Sequence, residues 1–309
     1  MKAILVIFLF LFSSILLFGQ RPPFDDYTGD GTADNPYKIY TKEHFMEFAD
    51  SLNKMANPGE FFPWQHGKHF RLMENIDTIE QGTGKLQGIF HGNGKKIAVY
   101  LLCEYPDNPY YSLFAGMSAG GSIDSLIVDG YVNYQCGYIG ITGTSNYISN
   151  CISNVRVISI GMAAGIASSN YVSMSRCINN GSITGGVERI GGVVATNLGT
   201  IENCLNTGKI TATASGDGYR VGGIAGWSGS AISNCINLGE VHGQRAVSGI
   251  AAFSYSPASV FHCINYGYIK SEKEVGGVAG FTDGTAITNC VNVGAVEGDE
   301  DVGGIVGKE

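Results

Sequence analysis

The sequence predicts an all-β protein: a parallel, right-handed β-helix solenoid with an N-terminal, helix-containing cap. Three observations carry that expectation. A phrase made of a Gly-Gly-apolar run, a short turn and Asn-Cys-apolar-Asn-x-Gly recurs along the chain, and is clearest in VGGIAGWSGSAISNCINLGEVHG at residues 221–243. Six cysteines mark the same place in it, Cys151, Cys177, Cys204, Cys235, Cys263 and Cys290, with spacings of 26, 27, 31, 28 and 27 residues. Each period holds two or three short runs of Val, Ile and Ala between Gly, Thr, Asp and Asn, which reads as short strands and corners with no room for a helix. Three strands and three corners fit a coil at ~3.3 Å rise per residue, and successive coils stack at ~4.8 Å. A propeller blade needs about 40 residues, and a leucine-rich repeat needs a regular Leu pattern that is absent here.

In chain order, residues 1–20 open with Met1 and Lys2 and continue as an apolar run, the pattern of a secretory signal peptide. No other stretch approaches the ~18 apolar residues of a membrane helix, so no span is expected after cleavage. Residues 21–109 form a cap and the first irregular coils. Within them Thr41 reads as the N-cap of a helix over 42–55, whose Phe45, Phe48, Ala49, Leu52 and Met55 make one apolar face. Such a helix can cover the open strand edge of a first coil. Residues 110–309 form the regular repeats, which stop in mid-coil at EDVGGIVGKE. That stop leads us to expect either further coils or end-to-end self-association.

The repeat lines up its residues in columns. Asn179, Asn206, Asn237, Asn265 and Asn292 stand two residues after their cysteines, and Gly181, Gly208, Gly239, Gly267 and Gly294 two further on. Stacked asparagines can hydrogen-bond amide to amide. The glycines suit a positive φ or a close backbone approach. Six in-register cysteines read as buried free thiols rather than disulfides.

The runs VGGIAG, VGGVAG and VGGIVG, with SLFAG at 112–116, resemble the GLUG-motif repeat of bacterial surface proteins. The segments GDGTADNPYKIYTKEHFMEFADSLN (29–53) and LQGIFHGNGKKI (86–97) resemble the opening of such domains, the second as a hairpin. The resemblance implies a β-helix and export, and its motif carries no catalytic residue. Three places depart from it: VSGIAA at 247 and GMAAGIA at 161 each lose a glycine of the pair, and Cys151 lacks the Asn and Gly columns.

A formal net charge of −8, with 15% charged residues, argues against nucleic-acid binding, which wants a basic face. His66 and His69 stand three apart without a third ligand at motif spacing, and Asp25, Asp26, Asp30 and Asp34 lack the spacing of a calcium loop. No cofactor is implied. Two columns are candidates for binding. Trp227, Phe253 and Phe281 fall six residues after the Val of successive Gly-Gly runs; facing out they would form a flat platform for a sugar or peptide, facing in a core stack, and the core stack is the expected arrangement. Beside them Glu188–Arg189, Tyr219–Arg220, Arg245, Lys273–Glu274 and Glu300–Asp301 make a charged corner, with the long insertion 211–220 next to it.

Two functions fit these readings. One is a secreted or cell-surface module, adhesin-like or scaffolding, that binds glycan or a surface protein. The other is a β-helix polysaccharide lyase or glycoside hydrolase, for which Glu188, Arg189, Arg220 and Arg245 are the clustered residues.

Overall fold

The structure is a computed structural model and describes residues 28–53, 65–103, 112–118, 120–134, 140–186, 188–213 and 219–309. The expected leader 1–20, Asp25, Asp26, Met55, Tyr110, Cys136 and residues 214–218 of the insertion lie outside them. Among the described residues no helix is long and apolar enough to cross a membrane.

The strands lie in three parallel sheets of 17, 14 and 6 strands wound as a β-solenoid. The coil that begins at Arg220 shows the path. Arg220–Gly222 lies in the six-stranded sheet. Ala225–Ser228 and Ile232–Ser233 then run in the 17-stranded sheet, and Ile236–Asn237 and Val241–His242 in the 14-stranded one. Each strand pairs in parallel with its equivalent one coil on, Val221 opposite Val247 and Ile236 opposite Ile264. The sequence suggests three strands per coil. Five form instead, because Gly229–Ser230 and the Asn-x-Gly corner each interrupt a face.

Six positions per coil point inward. In this coil they are Val221, Ile224, Ala225, Ile232, Cys235 and Val241, all fully buried. In the next they are Val247, Ile250, Ala251, Val260, Cys263 and Ile269. Fully burying one such aliphatic side chain is worth about 1.5–3 kcal/mol, so this stacked column is the main source of stability.

The recurrent phrase has a mechanical explanation. Nδ2 of Asn179 donates to Oδ1 of Asn206 at 2.7 Å, and the chain continues through Asn237, Asn265 and Asn292 at 2.8, 2.8 and 2.7 Å. The same Nδ2 atoms donate to the carbonyl of the glycine two residues on, at 2.8 Å from Asn237 to Gly239. That glycine is required by close approach: a Cβ at Gly239 would lie 2.1 Å from the carbonyl oxygen of Gly208. Across the coil, a Cβ at Gly223, second of the Gly-Gly pair, would lie 2.4 Å from Cγ of Asn237. The two halves of the phrase therefore meet inside each coil, glycine making room for asparagine. The residue before each columnar cysteine (Asn150, Arg176, Asn203, Asn234, His262, Asn289) turns the corner at φ of 51–54° or 56°, a conformation asparagine tolerates better than most.

The columnar thiols are free, and all but Cys290 are buried. Cys177 and Cys204 donate their backbone N–H to the sulfur of the next coil's cysteine at 3.5 and 3.4 Å. Burial pushes the Cys177 and Cys235 thiols well up, so they stay neutral. Because all five are buried, native protein should hide Cys151, Cys177, Cys204, Cys235 and Cys263 from a thiol reagent and expose them on denaturation. Thiol counting with and without denaturant checks this, and rapid native reaction of all five would contradict it.

The cap helix spans Lys42–Asn53, and Thr41 caps it by accepting the His44 N–H at 3.2 Å. Phe45, Phe48, Ala49 and Leu52 are fully buried. Phe48 lies 4.7 Å from Phe70 and 5.8 Å from Phe90, ring to ring, so the helix packs on the apolar interior of the first coils. The segment expected as a hairpin at 86–97 is a coil corner. Ile89–His91 pairs with His69–Leu72 and Ser122–Asp124, whereas Lys96–Cys103 pairs with Ile76–Ile79 and Ile127–Tyr134. The Gly-Asn-Gly turn sends the chain to another sheet instead of back along its own.

Candidate binding face

The aromatic column is half-buried on the outer side of the 17-stranded sheet, which corrects the expected core stack. Strand alternation puts residues two apart on one face, and Ala225 is fully buried in the core. The ladder, however, pairs Ala225 with Val194 and Trp227 with Thr196 and passes over Gly226. The same irregularity recurs at Ala252 and Gly280. The register is the same on both sides, so this is a kink repeated at one place in each of these coils; it reverses the alternation and turns Trp227, Phe253 and Phe281 outward.

Neither is the column a flat platform. The Phe253 and Phe281 rings are parallel within 3° at a centroid distance of 5.1 Å. Two phenyl rings side by side in one plane would need more room, so the pair stacks along the solenoid axis with its edges outward. Cζ of Arg220, from the preceding coil, lies 4.3 Å from the other face of Phe253. Arg189 covers Trp227 in the same way at 5.1 Å, and Tyr255 packs on that indole at 4.9 Å. The result is a cation–π stripe of guanidinium, indole, guanidinium and two phenyls.

The sequence-predicted residues thus divide. Trp227, Phe253, Phe281, Arg189 and Arg220 come together. Arg245 does not join them freely, because its Nε and Nη2 donate to the carboxylate of buried Glu274 at 3.0 and 2.9 Å. Lys273 pairs with Glu300 at 2.9 Å, and Lys308 with Asp301 at 3.0 Å. Tyr219, near the end of the insertion, is half-buried and makes no ring contact to the stripe among the described residues. Among those residues Arg189 and Arg220 have no carboxylate partner. Nη1 of Arg189 donates to Oγ1 of Thr196 at 3.1 Å, while its buried Nε has no acceptor. Burial, and then the charge of Arg189, lower the pKa of Arg220 below the ordinary arginine value, though it stays charged at neutral pH.

Toward the N-terminus the same column becomes Thr196, Ser169 and Thr144, each opposite the next. These hydroxyls floor a groove of 590 Å³, walled by Met162 and Arg189 on one side and Tyr171 and Leu198 on the other, with Lys85 at its far end. Sequence reading missed the groove. Aligning the repeats on Trp227 leads to these hydroxyls, but threonine and serine are too common in coils to stand out.

A second cluster was also missed. Nδ1 of His91 meets Oδ2 of Asp124 at 2.7 Å, and its Nε2 meets Nδ1 of His69 at 2.9 Å. With the carboxylate accepting, a neutral His91 carries its proton on Nδ1 and accepts from His69 through Nε2. Burial, followed by the charge of His91, lowers the pKa of His69. His66 is exposed, and no three His, Cys, Asp or Glu side chains among the described residues are placed to hold a metal ion.

These features define a parallel β-solenoid repeat protein with an outward groove. The chain matches no protein-family model and no curated protein. Its fold is similar to the crystal structure of a "putative immunoglobulin A1 protease" from Bacteroides ovatus, with 17% identity and a TM-score of 0.56, over 88% of this chain and 79% of that one. At that identity the likeness concerns the fold alone.

Proposed function

We infer that this chain is an exported, non-catalytic binding module, adhesin-like or scaffolding, that takes an extended ligand, a glycan or a surface protein, along its groove and stripe. The observation that carries the reading is the continuous outward column from Thr144 to Phe281, five coil steps or ~24 Å long. The apolar leader and the likeness to GLUG repeats support export. A hydrolase would need two carboxylates flanking a scissile bond. The residues lining the groove include none, and Glu274 is tied to Arg245. Nor does the His91–Asp124 pair favour a protease, because an acyl-transfer relay aims the second imidazole nitrogen at a nucleophile, and here His69 fills that place.

The test is a glycan and peptide array followed by affinity measurement on a groove-filling variant, Ser169→Trp. The stripe already accommodates tryptophan in this column two coils on, so the variant should fold with an unchanged melting temperature. Its affinity for the array hit should fall by about tenfold or more, about 1.4 kcal/mol. A stable variant with undiminished affinity would overturn the reading.

A further inference from the structure

We propose that the groove and stripe recognise an anionic glycan, with its carboxylate or sulfate groups set against Arg189 and Arg220 and its hydroxyls on the Thr144–Ser169–Thr196 floor. The inference rests on the binding reading above and adds the chemical class of the ligand.

Ring orientation is the first argument. Neutral sugars use aromatic side chains by lying on their faces, but both faces of Phe253 are taken, one by Arg220 and the other by Phe281. What Phe253 has left for solvent is ring edge, the positive end of the aromatic quadrupole, beside the N–H groups of Arg220. Both attract anions and repel cations.

Charge balance is the second. Arg245, Lys273 and Lys308 are matched by Glu274, Glu300 and Asp301. Arg189 and Arg220 sit one coil apart in register and have no carboxylate partner among the described residues. Lys85 adds a positive charge at the far end of the groove. Glu188 and Glu274 act on Arg220 through space, but neither it nor Arg189 is capped by a direct ion pair among the described residues, so both guanidinium groups keep N–H donors to offer. The buried, unpartnered Nε of Arg189 is a donor without an acceptor beside the groove, and such a donor costs free energy unless something accepts from it.

The floor decides between a glycan and an acidic peptide. A peptide gains affinity from an open strand edge, and each floor strand is hydrogen-bonded on both sides: Ala167–Ser175 between Thr142–Ser149 and Val194–Asn197, and the last of these against Ala225–Ser228. What the floor offers is hydroxyls one coil, ~4.8 Å, apart, which suit a polyhydroxylated chain.

The experiment is calorimetric titration of the full chain with four probes: oligogalacturonate, its fully methyl-esterified form, a chondroitin sulfate oligosaccharide and oligoglutamate. We expect one of the two acidic glycans to bind, the carboxylated or the sulfated one identifying the acid group. Binding should weaken as salt rises, and fall at least tenfold in Arg189→Gln or Arg220→Gln, with melting temperature recorded to confirm folding. The methyl ester should bind at least tenfold more weakly than the free acid if the carboxylated glycan is the ligand. Equal affinity for ester and acid, lost in Ser169→Trp, would overturn the charge assignment and leave the groove standing as a binding site. Tighter binding of oligoglutamate than of either acidic glycan would overturn the glycan assignment. No binding of any probe would overturn the anionic assignment, and with no hit on the array the groove reading fails as well.

Discussion

Gly223→Ala should sharply destabilise the middle of the solenoid, whereas Gly304→Ala should leave its stability unchanged. The two glycines hold the same place in the repeat, second of the Gly-Gly pair. At Gly223 an added Cβ would stand 2.1 Å from the carbonyl oxygen of Gly249 and 2.4 Å from Cγ of Asn237. One obstacle is the backbone of the next coil and the other is a locked side chain, so neither can move without breaking a ladder. At Gly304 nothing lies within 4 Å of the same Cβ. Overpacking of this kind costs about 3 kcal/mol or more, a fall in Tm on the order of 10 °C for a domain of this size. Because coils lean mainly on their neighbours, hydrogen exchange should rise first between residues 206 and 265. Equal melting temperatures for the two variants would refute the idea that asparagine and glycine are fitted to each other across the coil.

That pairing explains why the architecture was legible from residues alone. Asparagine, glycine and cysteine recur because each coil repeats one steric problem, so a fixed period brings the same solution back. The binding face was less legible for an equally physical reason. Trp227 sits two residues from buried Ala225, and only a local kink at Gly226, with the register unbroken, turns it outward; glycine there looks like any other glycine of the run. The stacking of Phe253 between Arg220 and Phe281 depends on side chains from three successive coils. Aligned repeats place those residues side by side but say nothing about which face of a ring is covered. The grouping of His69 with His91 and Asp124 was invisible, and His69 was set beside His66 instead, because in the first coils no phrase repeats and nothing marks residues 22 and 33 positions apart as neighbours. The hairpin expected at 86–97 failed on the same ground: a Gly-Asn-Gly corner looks alike whether the chain doubles back or moves on to another sheet.

The asparagine ladder gives the second large effect, and its pH dependence makes it diagnostic. Asn237 is fully buried. Its Oδ1 accepts from Asn206 at 2.8 Å, while its Nδ2 donates to Oδ1 of Asn265 and to the Gly239 carbonyl, both at 2.8 Å. Asn237→Asp keeps the shape and removes the donor. An ionised carboxylate there would face two oxygens with nothing to give them, in a site that water does not reach. The loss should be about 3–5 kcal/mol at pH 8, the range for a buried unpaired charge. Protonation restores one O–H donor, so the folded state favours the acid form and the folded pKa of Asp at 237 rises above its unfolded value of about 3.9. A folded state that holds its proton more tightly than the unfolded chain loses stability as pH rises. The variant's deficit against the parent protein should therefore be smallest near pH 4, grow as pH climbs through the unfolded pKa, and level off above the folded one. Asn292→Asp, at the half-buried end of the ladder, should show the same sign with a smaller amplitude. Denaturant unfolding of both variants and the parent at pH 4, 6 and 8 measures this. A deficit at position 237 that is independent of pH, or below about 1 kcal/mol at pH 8, would mean that the coils are held by their apolar columns alone.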